Sequence, residues 1–182
     1  MRGDRAAFAI IYLRGRSSFR SFNSAMRTIL LSGGTAGTLD ILCAIVFLAG
    51  GNAGGVFRFI AAGAIGNAAY EGGAGMVLLG VLFHYVIAFS FAGGYFLVFP
   101  HFTFLRKHEI ISGLLYGIFV WAFMQYAVLP FTHNPPEPFT FSGAWKNIVI
   151  LMFAVGLPVS LITQAHFASR PPGRRGGLSK AR

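Results

Sequence analysis

The chain has 182 residues, 55% of them hydrophobic and only 11% charged, and a net charge of +10. An ordinary soluble domain carries charge on about a quarter of its residues, so this composition excludes water as the main solvent and leaves the bilayer. The positive charge does not point to nucleic acid either, because its distribution follows the hydrophobic segments: 13 of the 15 Lys and Arg residues fall at the two ends or in the middle connection, and 2, Arg58 and Lys146, fall elsewhere.

Residues 1–27 are rich in Arg and Ser and nearly free of acid. That composition suits a targeting segment or an interfacial amphipathic helix, and Met26 leaves open a start immediately before the first span. Four apolar stretches then approach or exceed the roughly 20 residues needed to cross a hydrocarbon core. They are expected at about 28–50, 74–99, 110–131 and 143–163. Between the first two, "VFRFIAAGAIG" is too short to cross and too apolar to lie fully in water, which predicts a short interfacial or re-entrant helix. Pro130 ends span three, and Pro158 interrupts span four. Aromatic residues near the borders, Tyr95, Phe96 and Phe99 among them, are expected at the headgroup level. Residues 164–182 read as a basic disordered tail. The fold class is therefore an all-α integral membrane four-helix bundle. With both termini and the middle loop cytoplasmic, the positive-inside rule is satisfied in a bacterial inner membrane.

The same octet pattern, Ser-Gly followed by Gly four residues on, opens spans one and three: "LLSGGTAG" from Leu30 and "IISGLLYG" from Ile110. It suggests two similar hairpins in the same orientation. Gly33, Gly37, Gly113 and Gly117 allow close backbone approach, and spans one and three are expected to pack tightly through them. The alternative that these faces meet another chain stays open.

Asp40 stands in the middle of span one in a chain with five acidic residues in all. An ion at that depth must face the bundle and find company, since the cost of exposure to lipid is about 3 kcal/mol or more. His84 at similar depth in span two is the expected partner, with Arg58 as a second. Tyr116, Gln125 and Asn147 would extend a polar strip. The single cysteine, Cys43, reads as a small apolar residue. No metal-ligand spacing, nucleotide motif or acid, base and nucleophile set is present, so no catalytic residue, metal or cofactor is expected. A haem held by two axial ligands would need a second mid-membrane histidine.

The series "AGTLD", "FRFIAAGAIG", "LFHYVIAFSFAGGY", "SGLLYGIFVWAFMQYAVLP" and "VGLPVSLI" resembles a family of small bacterial inner-membrane proteins of unknown function and, more distantly, the YagU-like family. The resemblance covers Arg27 to about Thr163. It implies four spans and an inner-membrane location, and highlights Asp40, Arg58, His84, Tyr116 and Pro130 without assigning them an activity. Two functions are expected in competition: a small transport or ligand- and proton-binding protein centred on Asp40 and His84, or a structural or assembly subunit that scaffolds other membrane proteins through its glycine faces. The partners are the lipid bilayer, with a second copy or another membrane protein, and no nucleic acid.

Overall fold

The computed structural model describes the backbone of residues 2–135 and 140–169, and side chains from Phe22 onward within those limits. Among the described residues every regular element is helical. In chain order they are α1 (Arg2–Cys43), α2 (Ala53–Ile65), α3 (Ala68–Glu71), α4 (Ala74–Val98), α5 (Thr103–Lys107), α6 (Glu109–Phe123), α7 (Phe141–Ile150) and α8 (Leu157–Ala168). Short π and 3-10 segments continue several of them, giving four helices long and apolar enough to cross a membrane: Phe22–Leu48, Ala74–His101, Glu109–Phe131 and Phe141–Ala168. These are spans one to four.

The last span runs five residues beyond the expected Thr163 limit, to Ala168. Its extension is held by partners that sequence did not reveal. Gln164 Nε2 donates to the Arg106 carbonyl at 3.1 Å, and Phe167 stacks on Phe99 with ring centroids 4.9 Å apart. Residues 170–182, the rest of the expected tail, lie outside the described residues. So do the side chains of residues 1–21, although α1 continues as helix back to Arg2.

The spans form two antiparallel hairpins, and the glycines act within each hairpin. A Cβ placed on Gly33 would lie 3.2 Å from Ala92 Cβ, and one on Gly37 would lie 2.9 Å from Ala88 Cβ, both on α4. A Cβ on Gly113 would lie 3.0 Å from the Gly156 carbonyl oxygen, and one on Gly117 would collide with the backbone of Leu151 and Met152. The expected packing of span one on span three through these glycines is therefore replaced by one on two and three on four. The physical reason is proximity: spans consecutive in sequence tend to be neighbours in space, and the glycines let each pair close to backbone contact. Span one also lies along span four, so the order around the bundle is two, one, four, three.

The sequence echo persists in the backbone. Ser32 Oγ donates to the carbonyl three residues back, Ile29, at 3.3 Å, and Ser112 Oγ does the same to Glu109 at 3.0 Å. Spans one and three then both break from α to π geometry at equivalent points, Ala44–Leu48 and Met124–Val128. In span four, π geometry at Leu151–Gly156 precedes Pro158, whose missing N–H leaves the Ala154 carbonyl without its usual helical donor.

Between spans one and two the chain turns on Gly50 and Gly51, with φ of 58° and 91°, values that favour residues without a Cβ. The N-cap Asn52 then opens α2 by accepting from the Gly55 N–H at 2.9 Å. The α2 backbone at Phe57 presses on Gly80 of α4, leaving no room for a side chain there. Gly80 is seven residues into α4, about 9 Å from its start at 1.5 Å per residue, so α2 crosses span two well inside its end. The connection after span three seals the other side of α2: the His133 N–H donates to the Gly63 carbonyl at 3.0 Å, and Asn134 Nδ2 to that of Phe59 at 3.1 Å.

Burial is unequal along the bundle. On the side of the termini, Ala36, Ala92, Tyr95, Phe99, Val120, Val155 and Val159 form one core. On the other side, the loop side, residues 42–48, 74–79, 121–131 and 141–153 contain no buried position. Among the described residues only a satellite of Ala61, Ala62 and Ala69, with Met76 against it, is buried there.

Candidate functional site

The buried stripe of α1 is Ser32, Gly33, Ala36, Gly37 and Ile41, a spacing of three and four that marks one helix face. At 100° per residue, Asp40 falls in the centre of that stripe, one turn above Ala36, which is 1% exposed. Yet Asp40 itself is only half-buried. It points inward at the level where the closed base ends, and at 1.5 Å per residue it lies about 5–8 Å toward the loop side from the middle of its span.

His84 stands across from it on α4, buried, with Nε2 2.8 Å from the Gly37 carbonyl oxygen. A carbonyl cannot donate, so Nε2 carries the hydrogen, and Nδ1 is the nitrogen left to exchange a proton. Gly37 makes this contact possible, since any side chain at that position would fall against Ala88 and Tyr85 and push α4 away. Asp40 follows Gly37 by three residues on the same face of α1, so its carboxyl lies on the side of the helix that His84 meets. Among the described residues no hydrogen bond or ion pair engages that carboxyl. Tyr85, beside His84 in an edge-on ring contact, turns its hydroxyl to Thr38 at 2.9 Å.

The other residues expected in the strip lie apart from this pair. Arg58 Nε donates to the Gly72 carbonyl at 3.1 Å, tying α2 to the start of span two instead of neutralising Asp40. Tyr116 donates to the Phe91 carbonyl at 2.6 Å and packs on Tyr95, which places it in the closed base. Gln125 and Asn147 are half-buried in the loop-side half, and their side chains make no hydrogen bond among the described residues.

A second polar cluster, not anticipated, closes the base. The Tyr95 hydroxyl lies 3.0 Å from Ser112 Oγ and donates to Ser160 Oγ at 2.9 Å, and Ser160 Oγ in turn donates to the Glu109 carbonyl at 2.7 Å. Tyr95, Phe96 and Phe99 are 2%, 8% and 0% exposed, so they are core and not headgroup residues. The cause for Phe96 and Phe99 is the extra length of span four, whose Phe167 covers them, while Tyr95 is enclosed by Tyr116, Ser112 and Ser160. At the same end Thr28 Oγ1 and His166 Nδ1 meet at 2.6 Å, joining the first and last spans. Serine and tyrosine are too common for spacing to single these out. The signal that could have found them was the conjunction of Ser-Gly in span three with a serine in span four facing it.

The repeat supplies a contrast. The position equivalent to Asp40 in the second hairpin, 80 residues on from 40 to 120, is Val120, which is 3% exposed. The half-open carboxylate is thus a departure from the pattern that the two hairpins otherwise share. Among the described residues no group of three or more His, Cys, Asp or Glu side chains could hold a metal ion.

No family model, curated protein or solved structure matches this chain.

Proposed function

We propose that this multi-pass membrane protein is a small transport or ligand-binding protein whose polar centre is Asp40 with His84. One observation carries the reading: an inward-facing carboxylate, unpartnered among the described residues, at the floor of the loosely packed half of a bundle whose other half is closed. Ionisable groups kept at such depth serve function by default, because lipid penalises them unless a pathway or ligand makes use of them. Structural glue would have consumed the carboxylate in hydrogen bonds, as it consumes Tyr95, Ser112 and Ser160 in the base.

The basic ends and middle loop support cytoplasmic termini in a bacterial inner membrane. Membership of the small inner-membrane family suggested by the sequence series fits this placement. The competing reading, a scaffold that docks partners through glycine faces, loses its main support because Gly33, Gly37, Gly113 and Gly117 are spent inside the hairpins.

Cysteine accessibility tests the proposal. In a Cys43→Ser background, Asp40→Cys should react with a membrane-impermeant thiol reagent added from the side of the 51–73 connection, and not from the side of the termini. Reaction from neither side would refute an open floor at this level.

A further inference from the structure

The polar centre is restrictive about charge, and this restriction names a ligand class. We propose that Asp40 and His84 form a site for a monovalent organic cation, an ammonium or similar group on an apolar body, which exchanges one for one with the single proton that the pair holds. This inference rests on the reading of Asp40 as a functional carboxylate.

Because Nε2 is committed to the Gly37 carbonyl, His84 gains or loses its exchangeable proton at Nδ1. Three arrangements then leave the site neutral in its low-dielectric surroundings. In the first, the Asp40 carboxylate faces the His84 imidazolium; in the second, the same proton sits on the Asp40 carboxyl beside a neutral imidazole; in the third, the pair has lost that proton and a single positive charge from outside sits beside Asp40. Adding the cation without losing the proton leaves a net positive charge, and losing the proton without the cation leaves a net negative one. Both are costly inside a membrane. Cation and proton therefore compete, and the binding step is cation plus protonated site giving occupied site plus one released proton.

Other titratable groups on the surrounding elements do not alter the balance. The Tyr85 hydroxyl is engaged with Thr38, Arg58 with the Gly72 carbonyl and Tyr116 with the Phe91 carbonyl, while Cys43 is a neutral thiol neighbour and Lys146 is exposed. Spans three and four carry no carboxylate beyond Glu109, at the start of span three.

The composition of this half of the bundle favours an organic ion over a metal. A hard metal cation takes about six oxygen ligands or keeps much of its water, and among the described residues no group of three or more His, Cys, Asp or Glu side chains could supply them. The half-buried positions of the loop-side half, Ala44, Ile45, Trp121, Ile148 and Leu151 among them, are mostly apolar. One charge in such a setting suits a cation that carries its own hydrophobic surface.

The whole protein in lipid nanodiscs, titrated with tetraphenylphosphonium and separately with tetraethylammonium, tests the exchange. At least one should bind near one per chain and release about one proton. Its affinity should weaken about tenfold per pH unit on acidification once the pair holds its proton. Tetraphenylborate, of the same shape and opposite charge, should bind no more than to empty nanodiscs. Asp40→Asn should abolish both binding and proton release, whereas His84→Gln keeps the carboxylate and should still bind. Binding of neither cation above the Asp40→Asn level, or binding without proton release in the wild type, overturns the proposal. Nitrogen-15 spectra of labelled histidine separate the two failures. If the His84 ring signals respond to Asp40→Asn, the polar centre stands and only the cation falls; no response sinks both.

Discussion

The two halves of the bundle solve the problem of polar groups in a membrane in opposite ways. Toward the termini, each hydroxyl of the Tyr95, Ser112 and Ser160 cluster is saturated by a neighbour, and Gly113, Gly117 and Gly156 let backbones touch. Toward the loops, three π segments interrupt the helices, no span position is buried beyond Gly80 and Ile41, and Asp40, Gln125 and Asn147 keep unused polar capacity. Polarity that is satisfied stabilises a shape, and polarity left unsatisfied at a defined place is available to a ligand.

Substitutions should divide along that line. Gly117→Leu forces a side chain into the Leu151 and Met152 backbone and should cost about 3 kcal/mol or more, seen as loss of the monodisperse peak in detergent. Tyr95→Phe keeps the ring and removes the shared hydroxyl; a loss of about 1–2 kcal/mol is expected in equilibrium unfolding in mixed micelles. Thr163 is fully buried with Oγ1 unpaired among the described residues, so Thr163→Val should raise stability, by about 0.5–1 kcal/mol in the same assay. In the loop-side half, Gln125→Leu should change stability by less than about 0.5 kcal/mol. A large loss from Gln125→Leu, or none from Gly117→Leu, would erase the distinction between the halves.

Sequence carried the architecture because hydrophobic length and basic flanks report directly on the membrane. It also singled out Asp40 and His84 as a candidate pair, since a charge inside an apolar run has few places to go. It did not carry which glycine face meets which span. Gly33 and Gly113 look alike along the chain, and only packing shows that one receives Ala92 and the other Gly156. Arg58 was drawn toward Asp40 by charge alone, but a backbone carbonyl at Gly72 lies within reach of its Nε. Tyr95 was misassigned to the interface because Phe167, in a stretch that reads as tail, covers the rings beside it.

The Tyr95 hydroxyl finds its partners 17 and 65 residues further along the chain. Synthesis is vectorial, so the first hairpin enters the bilayer with that hydroxyl waiting and cannot lock until residue 160 has left the ribosome. Nascent chains halted before span four should accordingly remain open to cellular quality control, and the final helix acts as the timer of assembly.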